Sequence, residues 1–343
     1  MKGFFSDPEN LLTETNAKPE ITMFDIAAPA ASIARNLRHR GFGAVHEFAS
    51  MVRYSVGSTT TPDPVLTANW DVLVVLDACR ADLFREVVVD GGYELPDGRF
   101  DTRMSPASAS TGWLDTVFGA ATDAQLADLV YVTGNPYSAS MVEDTRFQAV
   151  EEVWRDSWDD DAGTIPARPV TDAAVRAGRR QEPARLVVHY MQPHFPALGD
   201  SNRANGVTSE SEHNSRSRGV TLSEFGDRGM SVWEDLRLGR WTVEGAWEAY
   251  RANLVYVLEE VTALLSNLDA GTVVLTADHG NAFGEHAVYG HPGGVDLPCL
   301  REVPWYETTA TDTHSRETRS RESTGKQTGD VVEQRLRDLG YKQ

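Results

Sequence analysis

The chain has 343 residues, enough for one large α/β domain or two smaller ones. Its 51 acidic residues against 32 lysines and arginines, a net charge of −19, exclude the basic footprint of a nucleic-acid binder. The near absence of lysine (Lys2, Lys18, Lys326 and Lys342) suits a halophilic protein, and a GC-rich coding sequence is the other source of such a composition.

Two cysteines, Cys79 and Cys299, form no metal-binding or disulfide pattern, which predicts a reduced, cytoplasmic setting. Residues 1–30 read as a poorly ordered arm with no apolar signal core. No run approaches the ~18 apolar residues of a membrane span. From Ser32 to Val56, Ile33, Leu37, Phe42, Val45, Phe48 and Val52 recur at helical intervals, interleaved with Arg35, Arg38, Arg40 and Arg53. Such a basic amphipathic helix can touch a membrane peripherally; packing on the sheet with its arginines solvated is the preferred alternative. Residues 58–64 read as a linker.

Asp71 to Asp77 (Asp-Val-Leu-Val-Val-Leu-Asp) predicts the first buried strand, with Asp77 delivered at its C-terminal end. Asp77 is either a helix N-cap or a ligand, and the ligand reading is favoured. Ser105 to Thr111 is a hydroxyl-rich loop leading into an apolar helical face of Trp113, Leu114, Val117 and Phe118. From spacing alone its hydroxyls read as a helix cap, with a nucleophile as the alternative. A strand is predicted at 129–133, then a helix marked by Phe147, Val150, Val153, Trp154 and Trp158. The strand 185–191 exits into Gln-Pro-His194-Phe-Pro, and residues 199–231, without any period, read as a long mobile cover.

Trp247, Tyr250, Leu254, Leu258, Val261, Leu265 and Leu268 give the strongest helical pattern, leading directly into a strand at 272–277. That strand ends in Thr276-Ala277-Asp278-His279-Gly280, with Glu285, His286 and His291 close behind. A charged group at the end of a buried strand is costly unless partnered, and strand ends are where open α/β sheets bind ligands. An Asp-His pair with two further histidines points to a metal or phosphate site rather than a solvated turn. Residues 307–329 are low-complexity and read as disordered, with a short helix over 331–341. The whole predicts an α/β fold, a mostly parallel central sheet flanked by helices. Residues 1–64 would be an arm and amphipathic helix, 65–306 the catalytic domain, and 307–343 a tail.

Four blocks together resemble the alkaline phosphatase superfamily, in its sulfatase-like branch of hydrolases and transferases. They are Val-Leu-Asp77-Ala-Cys-Arg80-Ala-Asp82, Ser108-Ala-Ser110-Thr111-Gly-Trp113, His189-Tyr-Met-Gln-Pro-His194-Phe-Pro, and Thr276-Ala-Asp278-His279-Gly280 with Gly284-Glu285-His286. The resemblance implies that Asp77, Asp278 and His279 hold a divalent metal, with His291 open as a ligand of a second one. It implies a nucleophile among Ser108, Ser110 and Thr111, of which Ser110 fits the S-x-T-x-x-W pattern. It implies substrate contacts from His194, also a catalytic candidate, and from Arg80 and His189. Cys79 lies in the metal block and lacks the C-x-P-x-R context of a true sulfatase nucleophile. His279 stands where calcium-holding sulfatases have asparagine, and imidazole favours zinc or manganese, with magnesium and calcium left open.

The implied function is metal-dependent hydrolysis or transfer of phosphate or sulfate esters, the substrate being a small molecule or a glycan. The alternative is a catalytically degenerate relative that serves as a binding or scaffold protein.

Overall fold

The computed structural model describes residues 42–55, 63–199, 232–318 and 329–339. Two compact units divide the chain, Met1–Phe48 and Ala49–Gln343. The described part of the first is the opening of a helix, Phe42–Ser55. The second unit holds a seven-stranded sheet. Its strands are β1 (Val72–Leu76), β2 (Arg99–Met104), β3 (Leu129–Thr133), β4 (Ala149–Glu152), β5 (Arg185–Tyr190), β6 (Ala270–Thr276) and β9 (Glu302–Ala310), in the order β2-β9-β6-β1-β5-β3-β4. The five strands from β6 to β4 run parallel, and β9 is antiparallel to both β6 and β2. A two-stranded hairpin, β7 (Ala282–Phe283) and β8 (Tyr289–Gly290), stands beyond the end of β6.

The period of two in β1 builds both faces of the core. Val72, Val74 and Leu76 join the cluster under the helices Ala167–Gln181 and Val243–Leu265. Leu73 and Val75 join the opposite cluster with Trp113, Leu114 and Phe118. The long helix Val243–Leu265 starts where Thr242 caps it, its hydroxyl accepting from Gly245 N–H at 3.1 Å. Burial on both faces explains the apolar runs Val72–Leu76 in β1, Leu129–Val132 in β3 and Leu186–Val188 in β5.

The strands expected at 71–77, 129–133, 185–191 and 272–277 are present. Two other expectations do not hold. The helix expected from Phe147 to Trp158 is instead the edge strand β4 followed by a single turn, Trp154–Ser157. The tail expected from residue 307 begins inside β9. Beyond it Arg316 reaches Asp172 and Glu260, both at 2.7 Å, so the ordered body continues to at least that residue. The terminal helix is Gly329–Asp338. The arm at 1–30, residues 32–41 and 56 of the expected amphipathic helix, and nearly all of the expected cover at 199–231 lie outside the described residues. Among the described residues no helix is long and apolar enough to cross a membrane.

Candidate functional site

β1 and β6 are neighbours, and their last paired residues are Val75 and Thr276. Two residues further along each chain come Asp77 and Asp278, both fully buried. The backbone turns immediately after Asp77, with Ala78 at a φ of 60°, a region costly for a residue with a Cβ. The turn aims Ala78 N–H at Asp278 Oδ1 (3.0 Å), which also accepts from His279 N–H (2.9 Å). Tyr250 holds the turn from the long helix: its hydroxyl donates to the Ala78 carbonyl and accepts from Arg80 N–H at 3.1 Å.

Around these carboxylates stand three buried histidines, a half-buried one (His291) and one serine. His189, in β5, places Nε2 3.6 Å from Asp77 Oδ2 and 3.7 Å from Asp278 Oδ2. His279 donates Nδ1–H to the Gly280 carbonyl at 2.8 Å, which leaves the Nε2 lone pair facing the site. That Nε2 is 3.7 Å from Asp77 Oδ1 and 3.5 Å from Asp278 Oδ2. Ser110, at the first turn of the helix Ser110–Leu114, brings Oγ to 3.2 Å from His279 Nε2 and 3.3 Å from Asp77 Oδ2. His291 stacks on His279, ring centroids 4.6 Å apart, and meets His194 Nε2 to Nε2 at 3.0 Å. His194 turns Nδ1 to the Phe195 carbonyl, so the shared hydrogen sits on His291. Gly280 is required here: a Cβ would stand 2.2 Å from the Cys299 carbonyl oxygen.

Burial alone would raise the Asp77 carboxyl, but the imidazoles of His189, His194 and His279 outweigh it and hold the group well below the usual carboxylate range. Burial lowers His194. It lowers His291 further, assisted by His279 and His194. Both rings are therefore neutral at pH 7.

The donor set fits a divalent ion. A tetrahedral ion with bonds of about 2.0–2.2 Å spaces its ligand atoms about 3.3–3.6 Å apart, close to the separations of 3.5–3.7 Å seen among His189, His279 and the two carboxylates. His189 Nε2 and Asp278 Oδ2 are buried with no hydrogen-bond partner among the described residues, a cost that an ion would remove. Asp77, His189 and Asp278 each offer a ligand atom, all within 4.8 Å of one another. Two carboxylates and two imidazoles are a mixed hard and borderline set suited to zinc or manganese.

No protein-family model matches the chain, and no curated protein is similar to it. Solved structures similar to it include three enzymes. The soluble domain of lipooligosaccharide phosphoethanolamine transferase A from Neisseria meningitidis is 12% identical, covering 68% of this chain and 75% of that one, with a TM-score of 0.42. The C-terminal periplasmic domain of a phosphoethanolamine transferase from Campylobacter jejuni is 16% identical, covering 69% and 77%, with a TM-score of 0.43. The phosphonate monoester hydrolase of Agrobacterium radiobacter is 11% identical, covering 69% and 67%, with a TM-score of 0.35. Likeness at these values concerns the path of the chain only, and the chemistry has to be read from this chain's own side chains.

The expected residues separate into those that converge and those that do not. Asp77, Asp278, His279, Ser110, His194 and His291 come together. His189, expected to touch substrate, sits among the metal-type donors instead. Ser108 is tied to the loop that follows the hairpin, donating to the Pro292 carbonyl at 2.7 Å and accepting from Val295 N–H at 3.2 Å. Thr111 is half-buried on the next position of the helix.

Arg80, expected to bind a substrate anion, is engaged elsewhere. Its guanidinium makes two bonds to Asp82 (2.8 and 2.5 Å), one to Glu285 (2.5 Å) and one to the Asn281 carbonyl (3.0 Å), over the Trp247 ring. Burial disfavours its cation, and the two carboxylates outweigh that. It clamps the β1 exit to the segment after His279. A cavity of about 360 Å³ opens beside it, walled by Asp82, Glu285, His286, Cys299 and Glu302, and Ser110 is not part of its lining.

Asn135 was not singled out from the sequence, yet its Nδ2 donates to Asp77 Oδ2 at 2.8 Å. Its Gly-Asn-Pro context signalled a turn; only its place at the exit of a strand next to β5 hinted at the site.

Proposed function

We propose that the chain is a metal-dependent enzyme that cleaves or transfers phosphate or sulfate esters through a serine nucleophile. One observation carries this reading: a buried hydroxyl, Ser110 Oγ, lies within 3.3 Å of both a carboxylate and an imidazole of the cluster that fits a divalent ion. Asp77, Asp278, His189 and His279 would hold the ion. When bound, the ion would lower the pKa of the nucleophile and neutralise charge on the transferred group.

The residues of the chain supply the rest. Ser110 Oγ lies 3.3 Å from Asp77 Oδ2, whose carboxylate keeps lone pairs beyond the one given to an ion and takes the hydroxyl proton, while the single lone pair of His279 Nε2, 3.2 Å away, would be committed to the ion. Oγ then bonds to phosphorus or sulfur as the bond to the leaving alkoxide breaks. The alkoxide takes up a proton, so this half-reaction is proton-neutral. Water or an acceptor alcohol then bonds to the same atom, and Ser110 leaves with its proton restored. The one hydrogen that His291 and His194 share between their Nε2 atoms would turn from His194 to an anionic oxygen of the transferred group when substrate enters.

The degenerate-scaffold alternative would leave the convergence of Ser110 on this cluster without a purpose, so the enzyme is the reading adopted. The test is turnover of aryl phosphate monoesters, phosphodiesters, phosphonate monoesters and sulfate esters by chelator-treated protein with Zn²⁺ or Mn²⁺ restored. Metal-dependent turnover of one class is expected. Stoichiometric metal retention with no turnover of any class would favour the binding protein.

A further inference from the structure

The buried face of the helix Val243–Leu265 is mostly apolar, with Ala249, Leu254, Val257 and Leu258 among its residues, yet it includes Asn253, with 0% of its surface exposed. A carboxamide removed from water is costly unless its partners are supplied. Asn253 finds them in the loop that leaves β5. Its Nδ2 donates to the Pro193 and His194 carbonyls, both at 3.0 Å, and its Oδ1 accepts Leu198 N–H at 2.9 Å. Gly199 lies so close to the same turn of helix that a Cβ there would overlap the Ala252 carbonyl.

The Pro193 and His194 carbonyls belong to the two peptide planes that flank the His194 Cα. Planar peptides leave only φ and ψ free between them, so gripping both planes fixes the direction of the His194 Cα–Cβ bond. The first plane is also held from its other edge, where His194 N–H donates to the Asp77 carbonyl at 3.0 Å. The ring so directed turns Nδ1 to the Phe195 carbonyl and brings Nε2 to 3.0 Å from His291 Nε2. Three residues earlier, on the same face of the helix, Tyr250 holds the turn after Asp77 and stacks on Phe195, ring centroids 6.1 Å apart at 24°. One helix face thereby sets the exits of β1 and β5 against one another.

We infer that Asn253 is a positioning residue: from outside the site it aims His194 at His291, and so keeps their shared hydrogen where an anionic oxygen of the substrate can take it. Among side chains of its size only a carboxamide supplies two donors and an acceptor together. The inference rests on the ester-cleaving reading for the role of the histidine pair, and on the hydrogen bonds alone for the aiming.

Asn253→Asp keeps the shape and the acceptor and removes both donors. On metal-free protein labelled with ¹⁵N-histidine, near neutral pH, the ¹⁵N–¹⁵N coupling across the His291–His194 hydrogen bond reads the pair directly. It is expected in wild type and absent in Asn253→Asp. Zn²⁺ retention should be the same in both, since Asn253 bonds the loop and not Asp77, Asp278, His189 or His279. Turnover by the zinc form should fall on the order of 100-fold, the loss that a misplacement of about 1 Å brings. A merely structural residue would add its loss to that of His194→Ala, whereas a residue acting through His194 adds nothing further in the double variant.

Should Asn253→Asp not fold, two measurements decide in its place: the coupling in Asn253→Ser, which is smaller and keeps one donor, and hydrogen exchange of the Asn253 amide in wild type. A weakened coupling with slow exchange supports the inference, and an unprotected amide overturns it. Coupling at full strength in folded Asn253→Asp, zinc lost together with the coupling, or additive losses in the double variant also overturns it. Wild type that turns over no ester class overturns the proposed function alone, because the coupling still reads the aiming of His194.

Discussion

Asp77 and Asp278 stand opposite one another across a parallel strand pair, each two residues past the last paired positions, Val75 and Thr276. Neither acid is near the other in sequence, and the register alone brings them together. In the fully buried site two carboxylates repel unless a cation lies between them. Replacement of either acid by Asn is therefore expected to abolish stoichiometric metal retention, because a neutral amide oxygen is a far weaker ligand for Zn²⁺ or Mn²⁺. Metal analysis of wild type, Asp77→Asn and Asp278→Asn, each purified without added metal, checks this. Retention at the wild-type level in both variants would mean that the ion, if present, sits elsewhere.

Arg80 gives a sharp contrast between two roles. As a clamp it holds Asp82, Glu285 and the Asn281 carbonyl, and Arg80→Met should lower stability by about 1–3 kcal/mol, since one buried carbonyl and two partly exposed carboxylates lose their donor. As an anion-binding group it would instead raise KM at an unchanged melting temperature. Thermal unfolding and steady-state kinetics on the same variant separate the two, and a KM effect without any loss of stability contradicts the clamp.

Gly280 provides a test that is free of charge effects. A Cβ there would stand 2.2 Å from the Cys299 carbonyl oxygen and 3.0 Å from Arg80 Cγ, whereas a Cβ on Gly293 meets nothing within 4 Å. Gly280→Ala should cost about 1–3 kcal/mol and displace His279, whose Nδ1 donates to the Gly280 carbonyl. Gly293→Ala should stay within about 0.5 kcal/mol of wild type. Denaturant melts that rank the two alike would contradict the close approach of the 280 and 299 segments.

These tests show what a sequence can and cannot display. Asp77, Asp278 and His279 were legible because a polar residue at the end of an apolar run is an expensive exception. Strands β1, β3 and β5 were legible because burial on both faces gives each a short apolar run, Val72–Leu76, Leu129–Val132 and Leu186–Val188. The edge strands β2 and β4 were not, because Arg99–Met104 and Ala149–Glu152 are half-exposed and carry charges that protect an edge. Arg80 was misplaced because an arginine beside a carboxylate block reads equally as an anion binder or an ion-pair partner. Only the positions of Asp82 and Glu285 distinguish them. Asn135 was silent, since an asparagine in a turn is what ordinary packing also uses.

The segment after β9 carries a prediction of its own. Asp312 accepts two bonds from Arg179, at 2.8 and 2.7 Å, and this pairing holds its carboxyl down to about 2. A folded-state value below the unfolded one of about 4 means that the pair stabilises the fold above that value and stops doing so as pH falls toward about 2. The stability difference between wild type and Asp312→Asn should thus be largest near neutrality and shrink on acidification. Urea unfolding of both proteins across that range measures it, and a difference independent of pH would rule out the ion pair as its source.

The nucleophile is the sharpest test, because three adjacent hydroxyls make different contacts. Ser110→Ala should keep the metal, since two carboxylates and two imidazoles remain, and should lower turnover by at least about three orders of magnitude, since the atom that bonds to the substrate is gone. Ser108→Ala should act through structure. Its hydroxyl bridges the Pro292 carbonyl and Val295 N–H, so its loss costs about 1–3 kcal/mol and disturbs His291 next to Pro292, without removing the chemistry. Thr111→Ala should be near wild type. Mass spectrometry of acid-quenched turnover should find one transferred phosphoryl or sulfuryl group on the peptide that contains Ser110. A dead Thr111→Ala beside an active Ser110→Ala would move the nucleophile one residue along the helix. Full activity in all three variants would remove the covalent intermediate altogether and leave direct attack by water, with Asp77 and His279 orienting it where Ser110 Oγ now lies.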